Sequence, residues 1–148
     1  TQLQVEINKV DVEKIRPLRH AELRKGQDFS TTSYLKDYEE STFHMACIVD
    51  DKVVTCATFY PEKSTKIKSE NAYRLRGMAT DSNFQRKGYA SDLMAESFKE
   101  LKKRDCDMVW CNARLIAVPF YKSVGFKIIG DLFDIAGIGP HYYMYKEF

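Results

Sequence analysis

The sequence predicts an α/β protein built on a mixed sheet with antiparallel and parallel neighbours. Three observations predict it. Residues 43–49 and 53–60 are β-rich runs joined by Asp50-Asp51-Lys52, the composition of a tight hairpin. Residues 73–104 read as a strand, a short polar loop and an amphipathic helix. From there a strand, a helix and a strand pair follow to the C-terminus, so the order is strand, helix, a second short helix or loop, three strands, helix, strand, helix and two strands.

Each element has its own justification. Leu3, Val5 and Ile7 alternate with polar neighbours, the period of a half-buried strand over 3–8. Asp11 suits the N-cap of a helix running to about Leu23; Pro17 marks a break or a second start within it, and Gly26 stops it. Segment 27–42, with Tyr34, Leu35 and Tyr38 among polar residues, reads as a short helix or an ordered loop. Pro61 ends the hairpin, and the stretch to Asn71 is an exposed connection whose Lys63, Lys66 and Lys68 are solvated. Tyr73–Thr80 is the next strand. In the helix after it Leu93, Met94, Ala95, Phe98 and Leu101 form one apolar face, and Lys102, Lys103 and Arg104 complement its C-terminal dipole. Asp107–Cys111 is a strand, and Leu115–Val124 a helix closed by Gly125. Phe126–Ile129 and Tyr142–Tyr145 complete a strand pair.

A length of 148 residues suits one domain, 1–148, with a proper core. A net charge of +2 gives no footprint for nucleic acid. Cys47, Cys56, Cys106 and Cys111 show no C-x-x-C spacing, and three lie in apolar strand-like runs, so buried free thiols are expected rather than a metal site. No apolar run approaches a membrane span and no leader pattern opens the chain. A soluble, cytoplasmic protein without a membrane partner is the expectation.

The strand–loop–helix unit is suited to holding phosphate. The first N–H groups of a helix lack intrahelical partners and carry the positive end of its dipole. Gly88 lets the backbone approach a pyrophosphate closely, and Arg86 and Lys87 add positive charge. Neither the paired glycines of a dinucleotide fingerprint nor the GK[ST] ending of a P-loop is present.

The run QRKGYA, residues 85–90, between the strand LRGMAT and a long helix, resembles the acyl-CoA loop Q/R-x-x-G-x-G/A of the GCN5-related N-acetyltransferase (GNAT) superfamily. NARLIAVPFYKSVGF, residues 112–126, is similar to the family's second cofactor segment, and FDIAGIGPHYYM resembles a bacterial branch related to ElaA-type acyltransferases. The resemblance covers roughly residues 71–148. It implies a mixed, mostly antiparallel sheet of six to seven strands flanked by helices, with a cofactor cleft between two splayed central strands. It implies acetyl transfer from acetyl-CoA, without a metal, to an amine, and it allows a homodimer; a small-molecule primary amine is the expected acceptor, an amino acid only on the strength of Arg76 as a carboxylate clamp, with a protein lysine, an N-terminal amine and a polyamine left open. Ala90 instead of Gly is a mild variation. Arg114 stands where many members carry an Asn that touches the pantetheine, which leaves Asn112 as a substitute.

Acyl transfer sets physical demands that these residues can meet. Arg86, Lys87, Gly88, Tyr89, Ala90 and Ser91 would neutralise the pyrophosphate, chiefly through backbone amides. Met78, Ala79 and Thr80 would offer a strand edge to the peptide-like pantetheine. A backbone N–H near Met78 would polarise the thioester carbonyl. The leaving thiolate needs a hydrogen-bond or proton donor, and Tyr121 stands at the family's general-acid tyrosine; a packing aromatic is the alternative. An alkyl amine is only one part in ~10³ neutral at pH 7, a cost of roughly 4–5 kcal/mol unless a base takes its proton. His141 leads as that base, with a satisfied loop histidine the alternative; His20, His44, Glu39 and Glu40 are weaker candidates. By strand alternation Arg74 and Arg76 share a face with Met78 and Thr80, and Arg76 can bind a substrate carboxylate bidentately. An acyl-CoA-binding sensor without catalysis is the competing function.

Overall fold

The computed structural model describes residues 2–148; Thr1, the first residue of the expected domain, lies outside them. Seven strands form one sheet: β1 (Val5–Val10), β2 (Phe43–Val49), β3 (Lys52–Pro61), β4 (Ala72–Thr80), β5 (Met108–Arg114), β6 (Lys127–Ile135) and β7 (Gly139–Glu147). Their order across the sheet is β1-β2-β3-β4-β5-β7-β6. The pairs β1–β2, β2–β3, β5–β7 and β6–β7 are antiparallel, and β4–β5 is parallel. The parallel ladder joins Ala72–Arg74 to Met108–Trp110, and both strands continue beyond it, to Thr80 and to Arg114. Among the described residues three α-helices accompany the sheet: α1 (Arg16–Leu23), α2 (Tyr89–Lys103) and α3 (Val118–Ser123). The mixed, seven-stranded α/β architecture is the one the sequence predicts.

The chain divides into two compact units, the first running to Tyr60 and including Arg76–Lys99, the second comprising Pro61–Leu75 and Glu100–Phe148. In the first, β1 is far more exposed than a half-buried strand; of its residues Ile7 and Val10 alone are partly covered. The expected helix over 11–23 is interrupted. Asp11 caps a 3₁₀ turn, Val12–Lys14, by accepting from Glu13 N–H, and Pro17 opens α1 as a second start because its missing N–H costs nothing in a first turn. Segment 27–42 is an ordered loop with one 3₁₀ turn, Phe29–Thr32. The β2–β3 hairpin turns on Asp50 and Asp51, both left-handed at φ 47° and 67°, the signature of a type I′ turn. Val12, Ile15, Leu18, Ala46, Cys56 and Ala79 form one cluster of the unit's core.

In the second unit, Ala72, Met108, Trp110 and Tyr143 pack together, with the Trp110 and Tyr143 rings stacked at 4.9 Å. The helix expected over Leu115–Val124 is a 3₁₀ turn, Leu115–Ala117, followed by α3. Gly125, at φ +99°, ends it in the left-handed conformation. The last hairpin is much longer than the two short strands expected: a register shift between Ile129 and Phe133, with Gly130 at φ +82°, lets β6 carry on to Ile135. All four cysteines are buried and free. On α2, Ala95 faces solvent and Ser97 is buried in its stead, its hydroxyl donating to Leu93 C=O at 2.7 Å.

Candidate active site

The first unit carries the candidate phosphate loop. β4 ends at Thr80, and Asp81 caps the next turn by accepting from Asn83 N–H at 2.9 Å. That amide, helped by Lys52 at 3.2 Å, holds the Asp81 carboxyl below the ordinary range. Arg86 then takes φ +62° and Gly88 φ +84°, two left-handed residues that fold the chain back into the first turn of α2. A Cβ at Gly88 would meet nothing within 4 Å, so the glycine is required by its backbone angle and the space beside it is open. The first helical hydrogen bond runs from Asp92 N–H to Gly88 C=O, which leaves the amides of Tyr89, Ala90 and Ser91 in the unpaired first turn. Arg86, Lys87 and Gly88 are exposed, and Tyr89 and Ala90 are half-buried. A 15-residue helix thus presents its positive end beside two cations.

β4 carries a second feature. Gly77, inside the strand, has φ +64°, and a Cβ there would lie 3.0 Å from the Tyr34 ring and 3.2 Å from Arg19 Nε. The Cys56 thiol donates to Gly77 C=O at 3.5 Å, and burial pushes that thiol up to about 12. A left-handed residue breaks the two-residue alternation. The shared face expected for Arg76 and Met78 therefore does not carry across it. Arg76 lies over the Tyr34 ring at 4.2 Å, and Arg74 pairs with Glu62 at 3.3 Å and covers Trp110 at 4.8 Å. Ala79 belongs to the core, and the Thr80 hydroxyl faces that of Thr55 at 3.4 Å.

Around Tyr34 is a buried polar network that sequence reading did not find. Arg19, fully buried, forks onto Asp37 at 2.7 and 3.0 Å and donates to Thr32 C=O and the Thr58 hydroxyl. Asp37 also accepts from Tyr34 N–H at 2.8 Å. His44 donates from Nε2 to Asp37 C=O, since a carbonyl can only accept, so Nδ1 accepts the Thr58 proton. Burial holds the His44 imidazole below its ordinary pKa. His44 is thus fully engaged within the fold, and His20 is tied by Nε2 to Gln27 C=O. Glu39 and Glu40 are exposed loop residues.

The second unit holds Asn112, Tyr121 and His141. Asn112, half-buried, stands opposite Tyr143 in the β5–β7 ladder, and Arg114 stands opposite His141. Tyr121 packs against Phe120 and Phe126 with ring centroids at 5.4 and 5.3 Å, and its hydroxyl shares a hydrogen bond with the Cys111 thiol. Burial, then Cys111, pushes the phenol well above its ordinary pKa, so it keeps its proton throughout the neutral range. His141 lies within β7 rather than in a loop before it. It is buried, stacks on Phe133 at 5.9 Å and donates from Nδ1 to Gly139 C=O at 2.8 Å, which leaves the lone pair on Nε2. Beside it Arg114, Leu115, Ile116, Ile138 and Pro140 line a recess of about 430 Å³. Tyr121 and His141 thus hold separate partners, Cys111 and Gly139.

Among the described residues no helix is long and apolar enough to cross a membrane, and no group of three or more His, Cys, Asp or Glu could hold a metal ion.

Residues 12–126 match the acetyltransferase (GNAT) family. The chain is 34% identical over 142 residues to the protein named uncharacterized N-acetyltransferase YitI of Bacillus subtilis (strain 168), covering 96% of this chain and 95% of that protein. Its fold is similar to an aminoglycoside 6'-N-acetyltransferase complexed with coenzyme A (TM-score 0.77, 14% identity, 96% of each chain). It is similar also to Escherichia coli ElaA (TM-score 0.71, 16% identity, 97% of this chain and 100% of that one). With a family match over most of its length and a relative aligned over nearly all of it, this chain belongs to the GNAT family of acetyltransferases.

Proposed function

We propose that this acetyltransferase, acting as one domain over 1–148, moves the acetyl group of acetyl-CoA to the primary amine of a small molecule, an amino acid in its narrowest form. The observation that carries the reading is the loop before α2, where Arg86 and Gly88 are left-handed, the space beside Gly88 is open, and the amides of Tyr89, Ala90 and Ser91 precede the first helical hydrogen bond. A pyrophosphate fits that chemistry: fixed N–H donors, a helix dipole and the Arg86 and Lys87 charges all favour an anion there. Met78, Ala79 and Thr80 then serve the pantetheine, with Asn112 as a further polar contact.

The reaction is a direct attack. The amine lone pair forms the new C–N bond at the thioester carbonyl, the C–S bond breaks, and the sulfur leaves as thiolate. A Met78 N–H polarises the carbonyl as its oxygen gains charge. Tyr121 keeps its proton and donates a hydrogen bond to the leaving thiolate. Its raised pKa makes it a better hydrogen-bond donor than proton source, since a thiol near ~8.5 is the stronger acid of the two. His141 Nε2 takes the ammonium proton, directly or through water.

The test supplies acetyl-CoA with a panel of amines, amino acids and peptides and follows free thiol. Turnover that falls by about 10²–10³ in Tyr121→Phe, with coenzyme A affinity kept, supports the assignment. Tight coenzyme A binding without turnover on any acceptor would instead identify a sensor.

A further inference from the structure

Three guanidiniums gather on one aromatic ring in the first unit. Arg19 lies over Tyr34 at 3.9 Å, Arg76 at 4.2 Å and Arg24 at 5.7 Å. One carboxylate, Asp37, belongs to this cluster, and Arg19 occupies both of its oxygens. The other groups hydrogen-bonded to Arg19 or Asp37 bring no compensating charge: burial holds the His44 imidazole below its ordinary pKa, and Thr32 and Thr58 are uncharged. Arg24 donates to the Leu23 carbonyl, and Arg76 makes no ion pair among the described residues. Positive charges crowded into a half-buried corner repel one another, and an anion placed between them relieves that repulsion.

The location gives this excess a meaning. Arg76 precedes Gly77 and stands two residues from the Met78 amide. The amide is where the reading above puts the thioester oxygen, so the acceptor amine must arrive nearby. We propose that Arg76, held on the Tyr34 ring and seconded by Arg24, binds the carboxylate of the acceptor, which is therefore an amino acid rather than a plain amine. This inference rests on the acetyl-transfer reading for the position of the amine. Arg19 and Asp37 act as positioning residues. Asp37 fixes the Tyr34 backbone through its N–H, Arg19 covers the ring, and Gly77 leaves the room that both need.

The experiment offers each acceptor in three forms: free amino acid, its carboxamide and the decarboxylated amine. The wild type should favour the carboxylate form by roughly 10- to 100-fold in kcat/KM, the worth of a charge-assisted pair. In Arg76→Gln that ratio should collapse towards one, mainly through KM, and Arg76→Lys should restore part of it. A wild-type ratio near one, or a ratio kept in Arg76→Gln, overturns the proposal. If no acceptor is turned over, the acetyl-transfer reading fails, and binding decides this one separately. Calorimetric titration with N-acetylated amino acids and their carboxamides should then show carboxylate-dependent binding that Arg76→Gln loses; equal or absent binding in both proteins overturns it. Matching melting temperatures of wild type and variants exclude a folding artefact.

Discussion

Buried Arg19 illustrates how one side chain governs its surroundings. It reaches Asp37, Thr32 and Thr58 at once, while its Nε has no hydrogen-bond partner. Deleting one member of a buried pair strands the other charge, so Arg19→Met should destabilise the protein by about 3–5 kcal/mol in urea unfolding. Arg19→Met with Asp37→Leu should recover much of that loss, because the stranded carboxylate goes too. Gly88 is governed by its backbone instead. Gly88→Trp forces a β-carbon into φ +84°, but that carbon meets nothing within 4 Å at an exposed position, so the fold should survive with a cost of about 1–2 kcal/mol. The indole would fill the space assigned to pyrophosphate, and coenzyme A affinity by calorimetry should fall by about 10-fold or more. Unchanged affinity would remove the diphosphate from this loop.

Among the elements, the β2–β3 hairpin shows a turn whose residues are not the best for its shape. Asp50 and Asp51 both hold positive φ, where a residue with a Cβ is strained by about 1–2 kcal/mol. Asp51→Gly should therefore stabilise the protein by about 0.5–1 kcal/mol, read as a higher urea midpoint. Strand β4 is the more consequential element. Its polar and apolar residues suggested a simple alternation, yet Gly77 interrupts it and Cys56, from β3, holds the Gly77 carbonyl. A glycine inside a strand pattern signals such a break only when its neighbours are known. Tyr34 and Arg19, the residues that make Gly77 necessary, come from an ordered loop and from α1.

At the scale of the whole molecule, stability should depend on pH through His44. In the unfolded chain that imidazole takes a proton as pH falls through about 6.5. In the fold, burial, with the Arg19 charge as a smaller contribution, keeps it neutral to lower pH. The unfolded state then binds more protons below 6.5, so acidification from that point costs stability, and none is lost to this group above it. Melting temperature measured at pH 7.5 and 5.5 should show a smaller drop for His44→Gln than for the wild type. An equal drop in both would assign the acid sensitivity to other groups.

The strand–loop–helix unit, the first hairpin and the acyl-CoA motif were readable in the sequence because each is local: a run of β-formers, two turn residues, a glycine before a helix. Even Pro17 as a second helix start could be read from the constraint on one ring. The long β6–β7 hairpin was not, since its extension depends on a register shift between two strands. Nor was the Cys111 partner of Tyr121, or the Arg19–Asp37–Tyr34 cluster whose members stand 18 positions apart or fewer in the chain yet meet only through packing. Sequence by itself determined the family, the mixed α/β class and the strand–loop–helix order ahead of α2, because short-range propensity and motif spacing carry those. Tertiary structure alone decided which arginine is neutralised and which stays free, because charge compensation is a property of neighbours in space.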